Sequence, residues 1–383
     1  MDALELEMPA PSGYLVPMSA PDIRPEDVEL VTRVLRSGTL SLGPYLTRFE
    51  QEFAAYIGAA HAIGVANGTA GLHLCVAAAG IEDGDEVITT PFSFVASANC
   101  ILYQRAKPVF VDIEEDSMNL DPELCRQSVT ERTRAILAVH VFGQPCAMTE
   151  LTRLCAERDL SLIEDACEAV GSEYRGRKVG VFGKAAVFSF YPNKQMTTGE
   201  GAIVTTNDPA LATLMRSLSN QGRDQFSKWL HHDRLGYNYR LDEMSAALGV
   251  SQLGRIEATL VRREGIATQY DRLIADIPGV QPLHAVPSTT RLSRFVYAVR
   301  LAPGIDRDRV IAELDKKRIP SRAYFMPIHL QPFYRERFGF RPGDFPVAER
   351  VASSTVALPF HSNLSREEIE HVTDALRSVI ALS

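Results

Sequence analysis

Between about residues 60 and 206 of this 383-residue chain, short apolar runs alternate with stretches of helical spacing. Seven runs read as strands: 62–66, 86–90, 108–112, 135–141, 160–164, 185–190 and 202–206. Helical patterns at 69–79, 95–103, 122–128 and 149–158 separate the first five, and another at 209–219 follows the last. Short runs rich in Val and Ile, with helical crossovers, predict a mainly parallel sheet covered on both faces.

The pattern then changes. Residues 244–270 read as one long helical stretch, bent near Gly249 or Gly254. Beyond it lie a strand at 294–301, helices at 308–318 and 366–378, and an irregular loop at 324–345 rich in Pro and aromatics. A large α/β domain over 1–260, with an N-terminal arm, and a smaller C-terminal α+β domain over 261–383 are therefore expected.

Composition narrows the function without naming it. With 48 acidic and 40 basic residues the net charge is −8, which argues against a general nucleic-acid-binding surface. The six cysteines form no CxxC pair and no metal-ligand spacing, so they read as reduced, mostly buried thiols. The N-terminal MDALELEMPAPSGY has no basic and no apolar signal region, and the uncharged stretch 87–104 contains Pro91, Ser93, Ser97 and Asn99. The expectation is a cytoplasmic protein with no membrane span.

The most informative segment is Ser189-Phe-Tyr-Pro-Asn-Lys-Gln-Met-Thr-Thr-Gly-Glu-Gly201. It places Lys194 between two apolar strands, in a stretch whose Pro192, Asn193, Gly199 and Gly201 exclude regular helix. Desolvation of a lysine favours the neutral, nucleophilic amine that Schiff-base chemistry requires. In open parallel sheets ligands bind beyond the C-terminal strand ends, and three further features fall there. Asn67-Gly68-Thr69 opens a helix, as a phosphate site does and as an ordinary helix start capped by Thr69 also does. Asp165 ends a buried strand, where it suits either a cationic partner or a helix cap. Phe92-Ser93-Phe94 follows the second strand, where an aromatic ring could stack on a flat ring or belong to the core. One ligand would use all of them together: pyridoxal 5′-phosphate (PLP), with its phosphate, basic ring nitrogen, flat ring and aldehyde.

The motifs SFYPNKQMTTGEG, NGTAGLHL, TPFSFVASANCI, EDACEAVGSEYRG and GYNYRLDEMSAALG resemble the DegT/DnrJ/EryC1/StrS aminotransferases, which have the fold-type I PLP-dependent transferase architecture. The resemblance implies that Lys194 links to the cofactor, Asp165 pairs with its ring nitrogen and Phe94 stacks on its ring. Gly68, Thr69 and Ser189 would hold the phosphate, with Asn238 reaching it from a neighbouring subunit of a homodimer. Two positions depart from the family pattern. Glu168 stands where Gln or His is common beside the cofactor's 3-hydroxyl, and Gly201-Ala202 replaces Gly-Gly. A related branch of sugar dehydratases carries histidine in place of the lysine; Lys194 excludes this chain from it.

The activity so implied is transfer of an amino group from L-glutamate or glutamine to a nucleotide-linked keto-deoxysugar or an aminocyclitol precursor. Another PLP reaction on the same fold, such as dehydration or aldol cleavage, and a non-catalytic regulator are the competing readings. Tyr191 and His329 are candidate substrate contacts, each with a core or structural role as the alternative. His231-His232-Asp233 reads as a solvated loop, and no metal is expected.

Overall fold

The computed structural model describes residues 13–223 and 231–382. The seven runs form one sheet: β1 (His61–Val65), β2 (Glu86–Thr89), β3 (Lys107–Phe110), β4 (Thr133–Val139), β5 (Ser161–Asp165), β6 (Ala185–Ser189) and β7 (Ala202–Thr206). Their order is β1-β7-β6-β5-β4-β2-β3. The pairs β6/β5, β5/β4, β4/β2 and β2/β3 are parallel, whereas β7 runs against both β6 and β1. The reason is the connection. A parallel neighbour needs a crossover, usually a helix, but the segment between β6 and β7 has none, so the chain returns antiparallel. That segment carries Lys194.

Both sheet faces are buried, and alternation along single strands shows it. Ala185 and Val187 of β6 join one core, with Leu72, Leu74 and Met215; Ala186 and Phe188 join the opposite one, with Phe49, Phe53 and Ala246. Gly71 lets helix Gly68–Ala78 lie directly on the sheet, because a Cβ there would sit 2.7 Å from Val187 Cγ1. Two helices in the first sixty residues, Pro25–Ser37 and Pro44–Ile57, add to the expected set. Each begins with Pro and ends at a left-handed glycine, Gly38 or Gly58. The second is capped from another part of the chain, since Glu243 accepts from the N–H groups of Gly43, Tyr45 and Leu46 at 3.0, 2.9 and 2.8 Å.

The long helical stretch is two helices, Glu243–Leu253 and Ile256–Ile274, broken at Gly254-Arg255. Gly249 does not bend it; its missing side chain admits the Phe49 ring, 2.5 Å from where a Cβ would be. Residue 260 falls inside the second helix. Leu260 packs in the core beneath the large sheet, while Ile266, Tyr270 and Ile274 pack in a second core. That second core covers an antiparallel sheet of Val280–Pro282, Tyr297–Leu301 and Thr355–Leu358 with helices Arg307–Lys316 and Arg366–Ile380. Val16 is buried there too, so this part of the N-terminal segment packs on the second core.

The segment 324–345 is less irregular than expected. It holds a 3-10 turn, Ile328–Leu330, and a helix, Pro332–Phe338, packed through Tyr334, Phe340 and Phe345 against Phe110. No helix among the described residues is long and apolar enough to cross a membrane.

Candidate active site

A cavity of about 710 Å³ opens at the C-terminal ends of β1, β5 and β6, roofed by Phe295, Tyr324 and Phe325 from the C-terminal part. It is lined by Gly68, Thr69, Phe94, Asp165, Glu168, Ser189, Tyr191 and Lys194, so eight of the residues singled out in the sequence meet in one place. Strand ends put them there: β1 and β6 both run against β7, and β6 runs with β5, so all three point the same way and the turns after them open on one side.

The turn after β1 is capped by Asn67, whose Oδ1 accepts the Ala70 N–H at 2.9 Å. Thr69 is therefore not the cap, and its side chain lines the cavity. A Cβ on Gly68 would lie 3.1 Å from Ser189 Cβ and 3.2 Å from Cys167 Sγ, so a side chain there would close the cradle between the helix start and Ser189. Such a cradle at a helix N-terminus, where N–H groups lack helical partners, suits a phosphate.

Asp165 is 5% exposed. Its Oδ2 accepts from Ser97 Oγ at 2.7 Å, and Oδ1 accepts the Cys167 N–H at 3.2 Å. Ser93 and Ser97 hydroxyls are 2.8 Å apart and extend the chain of hydrogen bonds. All the donors are neutral. A buried carboxylate so held is a strong partner for a cation, and a protonated ring nitrogen supplies one.

Among the described residues, Lys194 is the single basic side chain lining the cavity. Its side chain is 12% exposed, and its Nζ lies 3.6 Å from Glu168 Oε1. The same nitrogen stands 3.9 Å from the centre of the Phe295 ring, a cation–π distance. Glu168 Oε2 accepts the Phe142 N–H at 2.9 Å. Burial pushes the Glu168 carboxyl up, with the Lys194 ammonium opposing and Asp165 reinforcing that shift. A raised folded-state value means that stability falls as pH rises from the ordinary glutamate value of 4.5 through the folded one. Glu168→Gln removes this loss and keeps an acceptor for Phe142. The urea midpoint of the cofactor-free variant is expected to gain on that of the parent over this pH span and then level off. A difference of opposite slope would contradict the placement.

Phe94 is 61% exposed over the cavity, whereas Phe92, 0% exposed, is the core ring of that segment. Tyr191 is likewise half exposed to the cavity. His329 is not brought to it. The 3-10 turn points its ring inward, where Nε2 lies 2.9 Å from Glu349 Oε1 and the ring packs 4.7 Å from Phe345. Burial lowers the His329 pKa, with Glu349 opposing. The expectation of a substrate contact is thus corrected to a buried structural histidine. Asn238 lies outside the cavity of its own chain, exposed between Tyr237 and Tyr239, whose rings stack at 5.0 Å. His231 and His232 are exposed, and no cluster of three or more metal-ligating side chains occurs among the described residues.

Sequence reasoning missed Ser97, Phe295 and Gln195. The Ser93/Ser97 spacing at the start of a helix was a usable signal for the first. Gln195 Nε2 donates to the carbonyls of Glu168 and Ser293 at 2.7 and 3.1 Å, locking the segment that carries Phe295. Nothing local announces that contact.

The donor set fits PLP on the structure's own terms: an acidic partner without a cation, a cradle free of side chains, a solvent-facing ring and one amine. A model of the DegT/DnrJ/EryC1/StrS aminotransferase family matches residues 21–377. This chain belongs to that family. As a member it is a PLP-dependent aminotransferase of the α/β fold. It is 40% identical over 342 residues to GDP-perosamine synthase of Caulobacter vibrioides, covering 89% of this chain and 91% of that protein. Among solved structures it is similar to S. venezuelae DesV, with a TM-score of 0.89, 36% identity and coverage of 95% and 98%. The sugar aminotransferase Spr1654 of Streptococcus pneumoniae, described as putative and solved in PLP and PMP (pyridoxamine phosphate) forms, superposes with a TM-score of 0.91 at 28% identity, over 96% of this chain and 99% of that one.

Proposed function

We propose that this aminotransferase moves an amino group from L-glutamate, or from glutamine, to the keto group of a nucleotide-linked keto-deoxysugar. What carries the reading is the meeting of Lys194, Asp165, Phe94 and the Gly68/Ser189 cradle around one cavity. The GDP-perosamine synthase similarity supports a nucleotide-linked acceptor.

Gly68, Thr69 and Ser189 would hold the cofactor's phosphate, Phe94 would cover its ring, and Asp165 would keep the ring nitrogen protonated. Bound there, the cofactor supplies an electron sink for the bond to be broken. The amine of Lys194 carries the proton away from the donor's Cα and later returns one to the acceptor's carbon. Phe295, packed against that amine, restricts its reach and excludes water from it. Glu168 stands beside it as the nearest acidic group. The working unit is a cytoplasmic homodimer in which Asn238 of each subunit completes the other's phosphate site. The exposure of Asn238 away from its own cavity supports this.

The holoenzyme is expected to be yellow, and L-glutamate alone should convert its absorbance to that of the pyridoxamine form. If glutamate and glutamine both leave the spectrum unchanged, the donor assignment fails.

A further inference from the structure

Helix Gly68–Ala78, whose start forms the phosphate cradle, also carries His73, which is 4% exposed and does not line the catalytic cavity. The ring sits between two polar groups. Its Nδ1 lies 2.9 Å from Tyr239 Oη, and its Nε2 lies 2.7 Å from Gln104 Nε2. Burial lowers the His73 pKa to about 4, so at neutral pH the ring is uncharged and holds a single N–H. An amide NH2 only donates. His73 Nε2 therefore accepts from Gln104, and Nδ1 donates to Tyr239.

We propose that His73 is a positioning residue that acts across the dimer: it locks Tyr237-Asn238-Tyr239 so that Asn238 faces the partner subunit's phosphate site. The proposal rests on the homodimer reading above and adds the residue that sets its shared contact.

Three observations carry it. The rings of Tyr237 and Tyr239 stack with an interplanar angle of 11°, and the His73 ring packs 4.7 and 5.9 Å from them. Gln104 Nε2 also reaches Tyr237 Oη at 3.3 Å, so both tyrosines are gripped from one side. Secondly, the segment lies as extended backbone between two others. The N–H groups of Tyr237 and Tyr239 donate to the carbonyls of Leu218 and Ser219 at 2.6 and 2.9 Å, and the Tyr239 carbonyl accepts the Ala66 N–H at 2.8 Å. Successive side chains of extended backbone face opposite ways, so holding both tyrosines inward turns Asn238 outward, where it is exposed. Thirdly, backbone pairing alone leaves the register open. A slip of one residue keeps such a ladder and reverses every side chain. Here the slip would break the His73–Tyr239 hydrogen bond and leave a half-buried polar group unpaired. One helix thus opens its own subunit's phosphate cradle and, little more than a turn further on, sets the contact given to the other subunit.

The test titrates cofactor-free protein with PLP and follows the yellow absorbance of the lysine-linked cofactor. His73→Phe keeps a buried ring without its hydrogen bonds and should weaken PLP binding about ten-fold or more. His73→Asn keeps a donor near the Nδ1 position and should recover most of that loss. The decisive arm uses heterodimers, isolated with two different tags, of a His73→Phe protomer and a Lys194→Ala protomer. Yellow absorbance then arises only at the site of the His73→Phe protomer, which the unaltered Asn238 segment of the other protomer completes. PLP affinity there should return to that of the parent, which also shows that the His73→Phe protomer is folded. The same pairing with Asn238→Ala measures the shared contact itself. The proposal is overturned if the His73→Phe homodimer binds PLP like the parent. It is also overturned if the His73→Phe defect persists in the heterodimer while that of Asn238→Ala is cured, because His73 would then act on its own cradle. If Asn238→Ala binds PLP like the parent, or its defect also persists, the shared-site reading fails and the proposal with it.

Discussion

Lys194→Ala is expected to lower turnover by about a thousand-fold or more, because one side chain supplies both the nucleophile and the proton carrier. Among the described residues lining the cavity, Lys194 is the only basic one. Its amine is set by Glu168 at 3.6 Å and by the Phe295 ring at 3.9 Å. The loop leaves little slack, since the Lys194 N–H donates to the Tyr191 carbonyl at 2.9 Å and Gln195 is hydrogen-bonded to Ser293. Lys194→Arg separates charge from chemistry, because it keeps a cation beside Glu168 without a deprotonable amine. Both variants should fold, and both should be inactive in steady-state assays. Turnover of Lys194→Ala within ten-fold of the parent would sink the proposed roles.

Asp165→Asn is expected to cost about a hundred-fold or more in the donor half-reaction, a loss typical of removing an electrostatic partner from a preorganised site. The isostere can still accept from the Cys167 N–H and meet the Ser97 hydroxyl, which now hold the carboxylate at 3.2 and 2.7 Å. What disappears is the negative charge, and with it the preference for a protonated ring nitrogen. Rapid-mixing absorbance after addition of L-glutamate measures the step directly. A half-reaction near the parent rate would show that Asp165 is a structural cap and not an electronic partner. Since the chain provides only neutral donors to this buried carboxylate, weaker retention of the cofactor is expected alongside.

Much of this site was legible in the chain because parallel sheets obey a simple rule. Residues at the ends of the apolar runs at 62–66, 160–164 and 185–190 must emerge at one edge, so Gly68, Asp165 and Ser189 were expected to be neighbours. Lys194 stood out because its Pro- and Gly-containing segment cannot be helix, and the same absence of a crossover reversed β7. The helices of the first sixty residues carried Pro and Gly boundary signals that went unread. In the segment 324–345 dense Pro and aromatic residues hid a short helix, because tertiary packing of Tyr334 on Phe110 stabilises it and periodicity does not.

The sequence by itself determined the sheet and the edge at which Lys194, Asp165 and the Gly68 turn meet. These follow from local spacing and strand direction, which apolar periodicity reports. Only the tertiary structure decided that Phe295 faces the Lys194 amine, that His329 turns into the core toward Glu349, and that a second cavity lies between helix Ala96–Tyr103 and helix Pro332–Phe338. Each depends on how the C-terminal segments pack on one another and on the large sheet. That packing is the sum of many apolar contacts between residues far apart in sequence, and no local pattern encodes it.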